Sequence, residues 1–375
     1  MFNKKEKRKS IFDDMPEDIG VTGKVEKYEK PVKKSNGKWK KVNSVLDHIA
    51  GFIIAGVLVF GIAALCLEYQ LVKGPSPTFS STWINTIGET RRFDFINNLF
   101  LSEEEVKQAI TPETTPRLKI LSNEKTEVAA VQPAELNPDG VWTVGDQTDD
   151  DGDGIIYFEF KEAGSQCYMI AIQDPTRVFV GMPEIFGGNG LMLEDMISRY
   201  GARGGINAGG FVDDGGTGTG GMPDGITIID YYEYNIQSIG AVCGIDDRGT
   251  LTIGDFDIEQ CRALGFKYAV SFEPVLVLNG APTYYWGESG SNPRTCIGQR
   301  ADGTILMLTV DGRQFFSPGL NYEELAWIMI GYGAQNAINM DGGSSSCMMM
   351  DGDMKNNPTN AAGGSRYLPT AWLFK

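Results

Sequence analysis

Residues 337–346, with the sequence AINMDGGSSS, combine the side chains of this chain that are best suited to chemistry. An apolar strand ends there at Asp341, and Gly342, Gly343 and three serines follow. Such an ending presents a carboxylate and small hydroxyls at a sheet edge, and paired glycines let the backbone approach a ligand and direct N–H groups at an anion. The same residues are also typical of a tight hairpin turn. Spacing alone leaves both interpretations open.

The chain contains one histidine, His48, which lies beside a long apolar run and outside the region expected to fold. Mechanisms that need imidazole in the folded domain are therefore excluded, namely Ser-His-Asp hydrolysis, Cys-His proteolysis and His-ligated zinc. Catalysis there would use carboxylates, Arg, Lys, Tyr, amides, hydroxyls, thiols or a hard metal ion. Residues 68–375 hold 20 basic and 41 acidic side chains, which argues against nucleic acid as a partner.

Residues 49–67 form an uncharged apolar run that would span about 28 Å as a helix, close to the thickness of a bilayer core. The 48 residues before it are longer than the polar start of a cleaved signal peptide, so we predict a retained transmembrane helix. Residues 1–48 carry 13 basic and 8 acidic side chains, whereas Glu68 and Lys73 nearly cancel on the other flank. Because positive flanks stay inside, we predict a single-pass protein of the cell membrane with a cytoplasmic tail and an extracellular C-terminal domain. The tail either contacts anionic lipid or is simply solvated.

Residues 68–140 are predicted to form an extracellular stalk and linker that lifts the main domain away from the membrane. Residues 82–110 have a helical pattern with a capping box from Ser102 to Glu105, and residues 111–140 contain prolines without a clear period.

Residues 150–375 are predicted to form an α+β domain with a mixed sheet, because strand and helix patterns are interspersed. Strands are predicted at 155–160, 167–172 and 304–310, and helices at 191–200, 258–264 and 321–330. The glycine-rich residues 204–225 predict a mobile surface loop or a loop that closely holds a ligand, and no ordinary core element.

The outer part of the chain contains five cysteines without a CxxC spacing: Cys167, Cys243, Cys261, Cys296 and Cys347. An odd number leaves at least one thiol unpaired in a monomer. Buried free thiols are the favoured interpretation, and any pairing stays open.

Four clusters stand out as sources of chemistry: NAGGF at 207–211, RTCIG at 294–298, DGG at 341–343 and RYLPTA at 366–371. Together they resemble the phosphodiester glycosidase family, and the resemblance covers residues 150–375. It is densest from Arg294 to Met348, where an RTAIG-type strand, a hairpin ending in DGR, a capped helix and an AINLDGG-type turn follow one another. The chain departs from the family at Ser344, where a third glycine is usual, at Gln299, where some relatives carry His, and at Glu273, where Gly is expected.

The resemblance implies hydrolysis of a sugar-1-phosphodiester, and the residue types suit that reaction. Asp341 would activate water or stabilise an oxocarbenium-like centre, and Arg294 and Arg366 would clamp the phosphate. Asn207 would bond the sugar or the phosphate. Further substrate contacts are expected from backbone N–H groups and hydroxyls at Gly209, Gly210, Thr295, Gly342, Gly343 and Ser345. The alternatives are salt bridges for the two arginines and turn chemistry for the small residues.

We therefore expect an extracellular hydrolase that cleaves the sugar–phosphate bond of sugar-1-phosphodiesters, like those of N-acetylglucosamine, in cell-envelope glycans. A non-catalytic glycan-binding or exopolysaccharide-assembly protein is the alternative, although such a protein would be expected to have lost Arg294 or Asp341.

One acidic segment resembles the start of a calcium loop, because Asp149, Asp151 and Asp153 follow a D-x-D-x-D-G pattern. The twelfth position is Phe160 rather than a bidentate Glu, so a solvated acidic turn is the favoured interpretation. A calcium site, and with it a calcium-dependent adhesin, stays open, and no other cofactor is expected.

Overall fold

The computed structural model describes residues 37–89, 94–110, 134–212, 219–283, 289–359 and 364–375. The chain divides into two compact units, of which the first ends at Ala63 and the second runs from Ala64 to Lys375. Most of the predicted basic tail and residues 111–133 of the predicted linker lie outside the described residues.

Helix α1, Gly37–Lys73, contains the predicted transmembrane run. Among the described residues, its segment Val45–Lys73 is the one helix long and apolar enough to cross a membrane, and the predicted span of 49–67 lies inside it. Three short helices follow: α2 Pro77–Glu89, α3 Asp94–Asn97 and α4 Glu103–Ile110. The predicted capping box is present, because Ser102 N donates to Glu105 Oε2 at 2.8 Å and Glu105 N donates to Ser102 Oγ at 3.3 Å.

The remaining residues form nineteen described strands and three more helices. The strands are β1 Thr143–Val144, β2 Gln147–Thr148, β3 Ile155–Glu162, β4 Ser165–Ile172, β5 Val178–Gly181, β6 Gly204–Asn207, β7 Thr227–Ile229, β8 Tyr232–Asn235, β9 Ala241–Ile245, β10 Leu251–Gly254, β11 Tyr268–Phe272, β12 Val275–Leu278, β13 Ala281–Pro282, β14 Arg294–Arg300, β15 Ile305–Val310, β16 Ala334–Met340, β17 Met348–Met350, β18 Asp353–Met354 and β19 Ala371–Phe374. The helices are α5 Leu193–Tyr200, α6 Ile258–Ala263 and α7 Tyr322–Gly331.

Three sheets share one central core. The first has the strand order β13-β12-β16-β14-β15-β4-β3, the second β10-β9-β11-β7-β8 and the third β18-β17-β6-β19-β5. Ile338 of the first sheet, Val270 of the second and Trp372 of the third pack into the same buried cluster. Each sheet carries one helix on its other face, α7 on the first, α6 on the second and α5 on the third.

The predicted α+β class is confirmed, and the predicted strands and helices between 155 and 330 are present to within a few residues. The described strand pairs are antiparallel. Helices and strands are therefore mixed in this domain, but parallel and antiparallel pairs are not mixed in the described sheets. The domain also begins earlier than residue 150, because Trp142 and Val144 are buried in the layer under α7.

The prediction that residues 204–225 contain no core element was wrong for the first four residues. Residues 204–207 are the fully buried central strand β6, paired with both β17 and β19. Glycine is needed there because a Cβ on Gly205 would collide with the backbone oxygen of Trp372. Residues 213–218 of the glycine-rich segment lie outside the described residues.

The favoured interpretation of the outer cysteines is confirmed, because all five are buried and free. Burial raises the pKa of Cys261 to about 12, so its thiol stays protonated and unreactive near neutral pH.

The close packing of β6 predicts a large difference between two glycine substitutions. Gly205→Ala should lower the free energy of unfolding by about 1–3 kcal/mol, because the new methyl group overpacks a buried sheet. Gly331→Ala is the matched control, because Gly331 is the last residue of α7 and has open space around its Cβ position. It should leave stability within about 1 kcal/mol of the parent, on the stabilising side. Urea unfolding measures both, and equal effects would contradict the packing described for β6.

Candidate active site

The four predicted clusters meet at one edge of the first and third sheets. Strand β6 ends there at Asn207 opposite the start of β19, with Asn207 paired to Ala371. Strand β16 ends there at Met340 opposite the start of β14, with Met340 paired to Thr295. Antiparallel pairing thus brings the loops after β6 and β16 beside the segments before β14 and β19.

Asn207 is the hub that joins these loops. Its Nδ2 donates to the backbone oxygen of Asp341 at 2.6 Å, and its Oδ1 accepts from Thr295 Oγ1 at 2.8 Å and from Cys347 N at 3.1 Å. The side chain is fully buried. The expected contact of Asn207 with substrate is therefore not what the geometry provides; Asn207 holds the Asp341 turn in place from beneath.

Asp341 lies half-buried on a turn that is fixed from two sides. Its backbone N–H donates to Ala208 O at 3.0 Å, and Gly343 N donates to Pro293 O at 2.9 Å. Gly343 has a φ of 61°, in the left-handed region that favours glycine, and it begins a single 3-10 turn, Gly343–Ser345.

Two of the N–H groups expected to bind an anion are used inside the protein. Gly343 N donates to Pro293, and Gly209 N donates to Thr370 Oγ1 at 3.1 Å. The glycines serve close packing instead, since a Cβ on Gly210 would lie 2.9 Å from the Phe272 ring and one on Gly342 would lie 3.0 Å from Pro293 O. The predicted group of anion-binding N–H donors therefore loses these two members. All four glycines nevertheless lie in the loops that form the site.

The two predicted arginines occupy different environments. Arg294 is 4% exposed, its guanidinium lies over the Tyr322 ring, and its Nε and Nη2 donate to the backbone oxygens of Leu320 and Gly290 at 3.0 and 2.7 Å. These bonds make it a brace for the loops around β14. Arg366 is less buried, lies 4.6 Å above the Phe211 ring and donates to Ser344 Oγ at 3.1 Å. The departure at Ser344 therefore gives Arg366 a hydrogen-bond partner that a glycine would lack.

Arg313, which was not predicted as a site residue, is exposed and lies beside the Asp341 turn. Its Nη1 is 3.2 Å from the position of a Cβ on Gly343, and its Nε donates to Asn292 Oδ1 at 3.0 Å. The signal was present in the sequence, since Arg313 is the last residue of the DGR hairpin motif. Asp224 was also missed, and its Oδ2 lies 3.9 Å from the position of a Cβ on Gly210.

The two predicted hydroxyl donors are both buried and differ in their hydrogen-bond partners. Thr295 is fully buried and donates to Asn207. Ser345 is 1% exposed. Among the described residues, no group forms a hydrogen bond with its hydroxyl or with that of the neighbouring Ser346. Buried hydroxyls are usually hydrogen-bonded, so the Ser345 hydroxyl has capacity for the ligand contact that the sequence predicts.

Gln299 lies away from this chemistry, whereas Glu273 follows Phe272, whose ring lies 2.9 Å from the position of a Cβ on Gly210. Gln299 is at the opposite end of β14 from Arg294, about 17 Å along the strand, where it accepts from Leu251 N and donates to Gly249 O and Gly303 O. It is a structural brace. Glu273 is exposed at the end of β11, and its backbone oxygen accepts from Asn339 Nδ2 at 3.1 Å.

The acidic segment folds as a turn. Carboxylate oxygens of Asp149, Asp151 and Asp153 lie within 4.8 Å of one another there. Asp149 accepts from Gly152 N and Gly154 N, and Asp153 forms an ion pair with Arg203. A guanidinium therefore already balances part of the charge that a calcium ion would neutralise, which favours the acidic-turn interpretation.

Comparisons with known proteins find one matching family and several similar structures. The sequence model of the family described as Phosphodiester glycosidase matches residues 200–375. The catalytic domain of the zebrafish N-acetylglucosamine-1-phosphodiester alpha-N-acetylglucosaminidase, auto-inhibited by its pro-peptide, superposes with a TM-score of 0.50 and 21% identity over 59% of this chain and 81% of that one. A hypothetical protein from Synechocystis superposes with a TM-score of 0.48 and 14% identity over 60% of this chain and 63% of that one.

A further relative is the SPbeta prophage-derived uncharacterized protein YomE of Bacillus subtilis, 29% identical over 192 residues. The match covers 49% of this chain and 29% of that protein, so the chain spans less than a third of the length of this curated relative. The family match thus covers residues 200–375 of this chain, the part that contains all four predicted clusters.

The hub position of Asn207 predicts unequal costs for two substitutions under the site. Asn207→Ala should lower the free energy of unfolding by about 2–4 kcal/mol, because it leaves buried groups such as Cys347 N without their partner. Thr295→Val keeps the shape and removes one hydrogen bond, so it should cost about 0.5–1.5 kcal/mol. Urea unfolding compares the two variants. A smaller loss of stability for Asn207→Ala than for Thr295→Val would contradict the role of Asn207 in joining the loops.

Proposed function

We propose that this protein is an extracellular hydrolase, anchored in the cell membrane by one helix, that cleaves the sugar–phosphate bond of sugar-1-phosphodiesters in cell-envelope glycans. The observation that supports it is the composition of the Asp341 turn. This turn presents one half-buried carboxylate, with the Arg313 guanidinium beside Gly343 and the Arg366 guanidinium on Ser344. The zebrafish relative, by its name, acts on N-acetylglucosamine-1-phosphodiesters, so these are the first substrates to test.

The groups at the turn suit attack by water at an anomeric carbon. In the proposed reaction the bond between this carbon and the phosphate oxygen breaks, and the bonding electrons leave with the phosphate. Asp341 accepts the proton of the water or stabilises the oxocarbenium-like centre. The products are the free sugar and a phosphomonoester on the acceptor. A phosphate needs little protonation to leave, which agrees with a chain that has no histidine in this domain.

The structural environments suggest a division of roles among the predicted residues. Arg313 and Arg366 are placed to bind the phosphate oxygens and to stabilise the charge that develops on them. Ser345 offers a hydroxyl to the substrate. Arg294 and Asn207 act as positioning residues that fix the loops on which these groups lie.

The direct test uses the full-length protein in detergent with the methyl phosphodiester of N-acetylglucosamine-1-phosphate. Proton and phosphorus NMR should detect free sugar and methyl phosphate. Asp341→Asn should lower the rate by about 10²- to 10⁴-fold, the usual contribution of a positioned acid–base group. Asp353→Asn is the matched control, because Asp353 lies with an exposed side chain on β18, and it should keep full activity.

Failure to release sugar from this ester, from other sugar-1-phosphodiesters and from envelope extracts would contradict the hydrolase. Binding of such glycans without turnover would then favour the non-catalytic glycan-binding or exopolysaccharide-assembly alternative.

The buried Arg294 and the exposed Arg313 should respond differently to truncation. Arg313→Ala should leave the melting temperature nearly unchanged and reduce kcat/KM about 10- to 100-fold, as for loss of a charge-assisted hydrogen bond. Arg294→Ala should instead destabilise the fold, because two backbone oxygens lose a buried donor. Calorimetry and steady-state kinetics separate the two effects, and a stable but inactive Arg294→Ala would reassign Arg294 to the phosphate.

A further inference from the structure

The helices that follow the membrane span fold back onto its end. Trp83 of α2 donates its indole N–H to Glu68 Oε1 at 3.1 Å, and Glu68 is the first charged residue after the apolar run. Lys73 pairs with Glu105 of α4 at 2.5 Å, and Val72 packs in one buried cluster with Ile84 and Leu101. Helix α2 therefore returns to the level at which the apolar run ends.

The residues at this level are those expected at a membrane surface. Tyr and Trp are enriched where a membrane meets water, because they combine an apolar ring with a polar group. Tyr69 is exposed, and it packs against Phe100 with ring centroids 5.7 Å apart. Together with Trp83 it marks the boundary of the span within the folded unit.

The same helices also expose large apolar side chains to their surroundings. Phe79 on α2, Phe95 on α3 and Leu99 just after α3 are 54%, 61% and 52% exposed, respectively. Phe79 lies six residues beyond Lys73, the last residue of α1. Single exposed apolar side chains are common on protein surfaces, whereas a group of them near the end of a membrane span suits the bilayer interface. Here the exposed residues follow closely in sequence on a helix that is itself apolar enough to cross a bilayer.

The helices also contact the rim of the candidate active site. Thr86 Oγ1 accepts from Ser291 N at 2.9 Å, and a Cβ on Gly290 would collide with Thr86 N. The backbone oxygen of Gly290 in turn accepts from Arg294 Nη2. Thr86 is three residues after Trp83, about 4.5 Å along the helix.

We propose that Phe79, Phe95 and Leu99 form a membrane-contact surface that rests on the lipid headgroups and holds the rim of the site close to the bilayer. This is the opposite of a stalk that lifts the domain into solution. The consequence for substrate rests on the proposed function: the phosphodiesters that reach this site would be those attached to or lying at the membrane surface.

The test uses the full-length protein in lipid nanodiscs, with one fluorescent label per molecule. Cys66 is replaced by Ser, since it is exposed while the other five cysteines are buried. The environment-sensitive dye NBD is then attached to Phe79→Cys, Phe95→Cys or Leu99→Cys. Tyr232→Cys is the matched control, because Tyr232 is 71% exposed on β8, the edge strand of the second sheet. The variants leave the buried cluster of Val72, Ile84 and Leu101 intact.

At the three helix positions the emission should shift to the blue, and lipids with a nitroxide near the headgroup should quench it. At position 232 neither change should occur. Labels that behave like the control would overturn the proposal. So would a blue shift without lipid quenching that appears only with two copies per disc, because it would show a contact between proteins.

This measurement does not depend on catalysis. If the protein hydrolyses sugar-1-phosphodiesters, replacing Phe79, Phe95 and Leu99 by Ser should lower turnover of vesicle-bound substrates and leave turnover of the soluble methyl ester unchanged.

Discussion

The site depends on one buried amide. Asn207 contacts three separate parts of the chain: β14 through Thr295, the Asp341 turn through its backbone oxygen, and the segment before β17 through Cys347 N. These parts belong to two different sheets, so the amide is a link between the sheets at the edge where they meet. Because the low polarity around it makes each unpaired group costly, loss of this amide would leave its buried partners unsatisfied.

The close approach of backbone around β6 makes this link possible. Gly204 and Gly205 leave no space for a Cβ, because the backbone oxygens of Met349 and Trp372 occupy that space. On this rigid base the protein places groups with freer access: Asp341, Arg313 and Arg366. Charged side chains at the edge of a tightly packed support keep their geometry when a ligand enters, which is a requirement for transition-state stabilisation.

The sequence indicated the elements and the loops of the site, but not the depth of each side chain. Capping boxes and alternating patterns are local signals, so α4, α7, β3 and β15 were predictable. The roles of Arg294 and Arg313 were not, because burial depends on carbonyls from residues 290 and 320 that are distant in sequence. The same holds for β6. Its glycines indicated a loop, whereas the structure explains them by the close approach of the Trp372 backbone to Gly205. The return of α2 to Glu68 is likewise a tertiary contact without a local signal.

The position of bond cleavage tests the central claim most directly. The full-length protein should be incubated with the methyl phosphodiester of N-acetylglucosamine-1-phosphate in water enriched in oxygen-18, and the isotope shift of the methyl phosphate should be read by phosphorus NMR. Cleavage between the anomeric carbon and oxygen predicts methyl phosphate without oxygen-18, since the water oxygen joins the sugar. Oxygen-18 in the phosphate would mean that water attacks phosphorus. This result would contradict the proposed role of Asp341 at the anomeric carbon.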